Sequence, residues 1–397
     1  MSKRLPGWAI ALTVVISWAA LSRSSADESR SKPFPEDIPA ARMVADPYPA
    51  LNGIAVDPEN NVVVASDPNR KSLLLYDRLH NTSEGTQTVP LRHIIGPETY
   101  IGMAAAVILD PQRQEIYTAN NDIEDTVVVM PYAANGNAKP ARVLSVPHQA
   151  WGLALGRSSD ELAVTAEIFN AVVFYRREAK GVEAPMRVIR GPRTRLADPH
   201  GIYWDDQHGE IGVASHGNFR GVVQNTGGGC SPAPAKGEAP GEGGEFRPPS
   251  IAIFASNAKD DQAPLRTIEG DSTKLDWPMG ITEDPVHDTI VVANNGDNSI
   301  LIFERKREGN VAPVRTIHGD QTGINRPMGL SVDAKNGEIW VSNYGDHSAL
   351  AFDSAADGNV TPKRILRTAP AGTSTPGFGN PMALAYDTKR GEILVPN

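Results

Sequence analysis

The chain has 397 residues, of which 40% are hydrophobic and 21% charged, with 47 acidic residues against 38 basic ones. The resulting net charge of −9 argues against nucleic acid or an anionic membrane surface as a partner, because either requires a basic face. The single cysteine, Cys230, excludes an intrachain disulfide and leaves only an intermolecular one.

The N-terminus has the layout of a secretory signal peptide. Lys3 and Arg4 precede an apolar stretch over residues 8–21, and small residues follow up to Ala26. We predict that residues 1–26 are removed, that 27–37 form a linker, and that the mature protein is secreted or periplasmic. An uncleaved anchor is the alternative. The remaining chain has no apolar segment long enough to span a membrane, so we expect no membrane span after cleavage.

A unit of about fifty residues recurs over residues 38–397. It is clearest in IVVANNGDNSILIFERKREGNVAPVRTIHGD (290–320) and EIWVSNYGDHSALAFDSAADGNVTPKRIL (338–366). Each copy has short apolar runs rich in β-branched and aromatic residues, separated by Gly, Asn and Asp. Repeats of this length cannot bury a core alone and must stack on their neighbours.

Four strands can be read in each unit, and we name them A to D in chain order. Seven A strands begin at Gly53, Ala106, Gly152, Gly201, Gly280, Gly329 and Ala383. The pattern predicts an all-β, seven-bladed β-propeller with four-stranded antiparallel blades, and six blades are the fallback. The last unit has only A and B strands. We therefore predict that the N-terminal segment 38–45 joins the C-terminal blade and closes the ring.

Two further features belong to the architecture. A Gly- and Pro-rich insertion at about 217–249, between strands B and C of blade four, is predicted to be flexible and to act as a lid, a tether or an idle loop. Every D strand carries an arginine two residues after a proline, at Arg92, Arg142, Arg187, Arg266, Arg315 and Arg364. Six identical placements indicate a structural pairing with an acid of a neighbouring blade.

The Pro-x-Gly start of three A strands (199–201, 278–280 and 327–329) and the VAN-type end of the B strands resemble the NHL-repeat and gluconolactonase-like (senescence-marker) propellers. The resemblance covers about residues 38–397. It implies the fold, but that wider group includes lactonases, a zinc-dependent amidating lyase and pure binding scaffolds. Function therefore has to be argued from the site.

The repeat supplies its own comparison, because a residue shared by most blades is architectural and one that breaks its column needs another explanation. The position before each A-strand start reads Asn52, Ala105, Trp151, His200, Met279, Met328 and Met382. The position that ends each B strand reads Ser66, Asn120, Glu167, Ser215, Asn294, Asn343 and Asn397. Trp151, Glu167 and His200 break these columns. So does His216, one position after Ser215.

These exceptions fall in blades three and four on the face formed by the D–A and B–C connections, with His148 nearby. Glu167, His200 and His216 are our candidate catalytic residues and candidate ligands of a zinc ion, which prefers nitrogen with one oxygen. The same set suits general-base catalysis, with Trp151 as an aromatic wall and His148 as a further ligand-binding residue. Ordinary loop residues are the competing interpretation.

A second hypothesis uses oxygen ligands. Asn120, Asn294 and Asn343, with Glu167 and Asp67, would suit a calcium ion, as the resemblance to calcium-dependent lactonases implies. Those enzymes have a glutamate at the start of the first blade, whereas this chain has Asn52 there. The asparagines also have a structural explanation, because Asn tolerates left-handed turns and bonds to nearby backbone.

The chain contains no Gly-x-Ser-x-Gly, Walker A, His-Glu-x-x-His or Cys-x-x-Cys motif. We therefore favour a monomeric binding module that holds a small molecule, peptide or protein at the mouth of the channel. The alternative is a metal-dependent hydrolase or lyase of the lactonase type, with zinc or calcium as the cofactor. A purely structural role in the cell envelope is a third hypothesis.

Overall fold

The computed structural model describes residues 50–83, 86–122, 124–221, 244–373, 385–387 and 392–394. Within these residues, six four-stranded antiparallel sheets follow one another along the chain. They are the blades of a β-propeller, and we number them one to six. No helix in this part of the chain is long and apolar enough to cross a membrane.

Each blade is a meander of four strands. Blade one contains β1 (Ile54–Asp57), β2 (Val62–Asp67), β3 (Ser72–Asp77) and β4 (Arg92–Ile95). Blade two contains β5 (Met103–Asp110), β6 (Glu115–Asn121), β7 (Thr126–Pro131) and β8 (Arg142–Ser145). Blade three contains β9 (Ala150–Gly156), β10 (Glu161–Ala166), β11 (Ala171–Arg176) and β12 (Arg187–Arg190).

The remaining blades have the same order, apart from the insertion in blade four. Blade four contains β13 (Pro199–Asp205), β14 (Glu210–Ser215), β17 (Ser250–Ala255) and β18 (Arg266–Glu269). Blade five contains β19 (Pro278–Asp284), β20 (Thr289–Asn294), β21 (Ser299–Glu304) and β22 (Arg315–Ile317). Blade six contains β23 (Pro327–Asp333), β24 (Glu338–Asn343), β25 (Ser348–Asp353) and β26 (Arg364–Arg367). Short 3₁₀ turns lie at 97–99, 192–194, 271–273, 295–297 and 320–322.

The hydrophobic core lies between blades rather than within one. The middle strands read as nearly continuous apolar runs, such as SLLLY in β3 and SILIF in β21, and both of their faces are buried. Each core cluster joins two neighbouring blades, so that Phe303 of blade five packs with Ile253 of blade four. Blades one and six share a cluster of the same kind, in which Trp340 packs with Val63 and Tyr76.

The prediction of seven blades is wrong for the described residues, and the fallback of six agrees with them. Blade one contacts blade six directly, because Gly329 donates its backbone N–H to the carbonyl of Asn52 over 2.9 Å. This contact leaves no space between these two sheets for a seventh. The seventh A and B strands do pair with each other, as β27 (Ala385–Asp387) and β28 (Glu392–Leu394), without a four-stranded sheet.

Some sequence predictions fall outside the described residues. These are the signal peptide, the linker and closure of the ring by segment 38–45, and they stay predictions. The insertion is described only at its two ends, where β15 (Asn218–Gly221) pairs with β16 (Gly244–Arg247). As predicted, it separates the B and C strands of blade four.

A repeated backbone contact links each outer strand to the next blade. Gly136 of blade two bridges Ile94 in β4, and Gly358 of blade six bridges Ile317 in β22. The last outer strand, β26, is held by the corresponding loop of blade one. There the N–H groups of Thr82 and Thr88 donate to the carbonyls of Ile365 and Arg367, both over 2.9 Å.

The outer-strand arginines are structural, but the prediction that a neighbouring blade supplies their acid is wrong. Arg142 pairs with Glu115 of its own blade over 2.7 Å, and Arg266 pairs with Glu210 in the same way. The neighbouring blade supplies backbone carbonyls instead, such as that of Arg305 to Arg266. Other arginines make the ion pairs between blades, because Arg177 contacts Asp110 over 2.9 Å.

The candidate site at the mouth of the channel

A β-bulge places the predicted site residues at the channel mouth. In blade four the register passes from Pro199 opposite Ser215 to Ile202 opposite Val213. His200 and Gly201 therefore oppose one residue of β14, and His200 leaves the regular ladder. Trp151 occupies the same position in blade three. Bulges of this kind commonly redirect a side chain at a functional site.

Two imidazoles and a carboxylate converge beside this bulge. The rings of His200 and His216 stack with their centroids 3.4 Å apart. The carboxylate of Asp198 lies 3.9 Å from Nδ1 of His200 and 3.7 Å from Nδ1 of His216. One ligand atom from each of the three residues lies within 4.8 Å of the others. We call Asp198, His200 and His216 the histidine cluster.

Glu167 approaches the cluster from the opposite edge of His200. Its Oε1 lies 3.4 Å from Nε2 of His200, and the Glu167 side chain is 13% exposed. The Nδ2 of Asn121, from blade two, donates to the same oxygen over 3.1 Å. Glu167 therefore contacts His200, as the column comparison predicted, but on the ring edge away from Asp198.

Aromatic and sulfur groups enclose the stacked imidazoles. The Trp151 ring lies 4.7 Å from that of His200, and the Trp277 ring lies 5.2 Å from that of His216. The sulfur of Met279 is 2.7 Å from Nε2 of His216. Trp277 is 57% exposed, so one apolar wall of the site faces solvent.

Burial keeps the two imidazoles of the cluster uncharged. Desolvation lowers the pKa of His216 to about 3, and desolvation together with the nearby His216 lowers the pKa of His200 to about 3. Desolvation, with the charges of Asp198 and Asp122, raises the pKa of Glu167 to about 9. Desolvation also raises the pKa of Asp198. Neutral imidazoles retain a free nitrogen lone pair, which a metal ligand requires.

The other predicted site residues do not join the cluster. His148 is 45% exposed and its Nδ1 lies 2.8 Å from Asp125. The three asparagines are fully buried and make one repeated set of bonds to the D–A connection of their own face. Asn294, for example, accepts from the N–H of Asp276 and donates to the carbonyl of Lys274. Asn120 and Asn343 bond in the same way.

The column comparison did not identify Asp198, Asn121, Trp277 or Met279 as site residues. Asp198 has a left-handed backbone with φ of 59°, a conformation shared with Gln149, Trp277 and Arg326 at the corresponding positions. A shared conformation with four different side chains leaves no common residue type in the sequence. The useful signal was proximity, since Asp198 lies two residues before the histidine that breaks its column.

The channel itself is narrow. The inner strands of all six blades enclose a cavity of about 80 Å³, lined in part by Asn52, Trp151, Met279 and Met328. This volume holds only a few water molecules. A wider groove of about 910 Å³ lies near β8, lined in part by Tyr100 and Lys180, and it contains none of the predicted site residues.

We predict that Gly152→Ala disturbs the histidine cluster through the backbone of His200, without contact between the new methyl group and the imidazoles. A Cβ at residue 152 would lie 2.2 Å from the carbonyl oxygen of His200, so the inner strand of blade four must shift. We expect a loss of about 1–3 kcal/mol in the free energy of unfolding, measured in urea. Gly181→Ala is the control, because its Cβ meets nothing within 4 Å although its φ is +62°. Equal losses in both variants would contradict the prediction.

One comparison with known proteins gives a match. A family model described as Arylesterase matches residues 266–381, which run from β18 to just beyond β26. No curated protein sequence matches the chain. The matched range includes Trp277 and Met279. It begins after Glu167 and the histidine cluster, so it does not contain them. The chain is therefore similar to arylesterases over its fifth and sixth blades.

Proposed function

We propose that this propeller is a metal-dependent hydrolase of esters or lactones, with its active site at the histidine cluster. The observation that carries the proposal is the convergence of Asp198, His200 and His216 within 4.8 Å. The similarity to arylesterases over residues 266–381 supports the reaction class. The alternative from sequence, a binding module at the channel mouth, has no comparable group of residues to support it.

The donor set fits zinc better than calcium. Zinc binds imidazole nitrogen and carboxylate oxygen at about 2.0–2.2 Å, so tetrahedral ligand atoms lie about 3.4 Å apart. The separations of 3.7 and 3.9 Å are measured from the two different oxygens of the Asp198 carboxylate. Because the three ligand atoms lie within 4.8 Å of one another, shifts of at most about 1.4 Å would bring them to zinc. Calcium requires six to eight oxygens, and the amide oxygens of Asn120, Asn294 and Asn343 already accept backbone N–H groups.

Three protein ligands leave a coordination position for the reacting groups. A divalent cation bound there would act as a Lewis acid on the substrate carbonyl. The carboxylate of Asp198 would offset the charge of the cation. Because Asp198 is 31% exposed, substrate would reach the cation from its side of the cluster. Trp151 and Trp277 flank the two imidazoles and would exclude water from the ester group. This arrangement differs from our sequence hypothesis in using Asp198, not Glu167, as the carboxylate ligand.

The test is hydrolysis by protein purified without an affinity tag. Chromogenic acetate esters and a six-membered lactone would be assayed before chelation, after chelation and after zinc is restored. We expect turnover that is lost with the metal and recovered with it. Zinc binding without turnover above the buffer rate would indicate a metal-dependent binding protein instead. Turnover that ignores the chelator would place the reaction elsewhere.

A further inference from the structure

Asn121 reaches from blade two into the site of blades three and four. Its Nδ2 donates two hydrogen bonds, one to the carbonyl of Ala150 and one to Oε1 of Glu167, both over 3.1 Å. Asn121 is 1% exposed. It therefore holds Glu167 against β9 of the next blade with little freedom to rotate.

The contact with Asn121 fixes how Glu167 meets His200. The oxygen that accepts from Asn121 is Oε1, and this same atom lies 3.4 Å from Nε2 of His200. An oxygen that accepts one N–H has a second lone pair for another donor. If Glu167 carries a proton, the proton belongs on Oε2, so Oε1 is an acceptor in either protonation state. An N–H at Nε2 of His200 would suit this acceptor, and the present separation of 3.4 Å is long for a hydrogen bond.

We propose that Asn121 and Glu167 act as a positioning pair that holds His200 with its proton on Nε2. A neutral imidazole carries one proton, so Nδ1 then presents its lone pair toward Asp198 and the proposed metal position. Metal-bound histidines commonly donate their other N–H to a carboxylate in this way. The role of the positioning pair in metal binding rests on the proposed function. The position of the proton on His200 can be measured without metal or substrate.

The competing arrangement is also defined by the structure. Nδ1 of His200 lies 3.1 Å from the backbone carbonyl of Asp198. A proton on Nδ1 would donate to that carbonyl, and Nε2 would accept from a protonated Glu167. That carbonyl also accepts the backbone N–H of His216 over 3.0 Å, and its second lone pair is open to Nδ1. The two arrangements differ in which ring nitrogen carries the proton.

The repeat supplies a matched control for Asn121. Asn295 holds the same column position in blade five, and its Nδ2 donates to the carbonyl of Pro327 over 3.1 Å, as Asn121 does to Ala150. Its second contact is the sulfur of Met328, not a carboxylate. Asn295→Ala therefore removes the shared architectural bond and leaves the positioning pair intact.

The experiment is ¹⁵N NMR of the imidazole nitrogens in the metal-free protein at pH 7, with His200 assigned from a His200→Ala sample. We expect the Nε2–H tautomer in the wild type and in Asn295→Ala, and a mixture of tautomers in Asn121→Ala and Glu167→Ala. Glu167→Gln retains an acceptor oxygen and should restore the wild-type signature. A wild-type His200 protonated on Nδ1 would overturn the inference.

Zinc affinity gives a second, separate readout. Loss of a carboxylate behind a metal ligand weakens metal binding by about 10–100-fold, so we expect this loss in Glu167→Ala and a smaller one in Asn121→Ala. Asn295→Ala should bind zinc as the wild type does. Equal weakening in Asn121→Ala and Asn295→Ala would reduce Asn121 to an architectural residue. If neither the wild type nor any variant binds zinc, the proposed function is wrong. The NMR experiment still decides separately which nitrogen of His200 carries the proton.

Discussion

Asp198→Asn is expected to weaken zinc binding by more than about 100-fold, because it removes a direct ligand, whereas loss of an outer carboxylate costs about 10–100-fold. The substitution keeps the shape of the side chain and its backbone N–H bond to Asn170 (2.7 Å). The amide cannot supply the negative charge that a carboxylate ligand brings to a cation. The measurement is competition between the protein and a chromogenic chelator for zinc.

Asp125→Asn is the matched control for this prediction. Asp125 also contacts a histidine, since it lies 2.8 Å from Nδ1 of His148, but both side chains are at least 40% exposed. Neither belongs to the histidine cluster. We expect Asp125→Asn to bind zinc as the wild type does. If Asp198→Asn retained wild-type affinity, zinc would be held elsewhere and the proposed active site would be wrong.

The second large effect concerns the contact between the first and last blades. Arg78, 5% exposed, lies 3.3 Å from Asp333 and 3.0 Å from Glu338, which are both buried. Removing Arg78 leaves the buried Asp333 without this cation, whereas Glu338 keeps its ion pair with Arg364 over 3.1 Å. Loss of one partner of a buried ion pair costs about 3–5 kcal/mol. We expect Arg78→Met to lower the free energy of unfolding by this amount, measured by urea denaturation.

Arg307→Met tests whether this cost comes from burial. Arg307 pairs with Glu304 over 2.6 Å, but both side chains are about half exposed, at 52% and 51%. An exposed pair contributes less than about 1 kcal/mol, so this variant should unfold close to the wild type. A similarly small effect of Arg78→Met would mean that the contact between blades one and six adds little to stability.

Most of the fold was predictable because a blade is a local structure. Its four strands follow one another along the chain, so β-branched runs and the turns between them mark each strand directly in the sequence. The number of blades was not predictable in the same way. The A and B strands of the seventh unit read like those of any blade. The direct contacts between blades one and six, such as the hydrogen bond between Gly329 and Asn52, exclude a sheet between them.

The site was predictable in part for a related reason. B–C and D–A connections of adjacent blades lie on one face, so the exceptions Glu167, His200 and His216 were expected to meet, and they do. Asp198 was missed because its role depends on a left-handed backbone and on a bulge, which no residue type marks. The asparagines kept two explanations, a turn role and a calcium site, because the sequence gives their oxygens but not the N–H groups that these oxygens accept.

The amino-acid sequence by itself determined the all-β architecture, the order of strands in each blade and the face on which the unusual side chains gather. These three features follow from patterns within about fifty residues, because the strands of one blade pair with each other and their residue pattern shows which faces are buried. Only the tertiary structure decided the number of blades and which edge of His200 faces Asp198 or Glu167. Those features depend on contacts between blades, where angles and distances of a few ångströms separate a metal ligand from a hydrogen-bond acceptor.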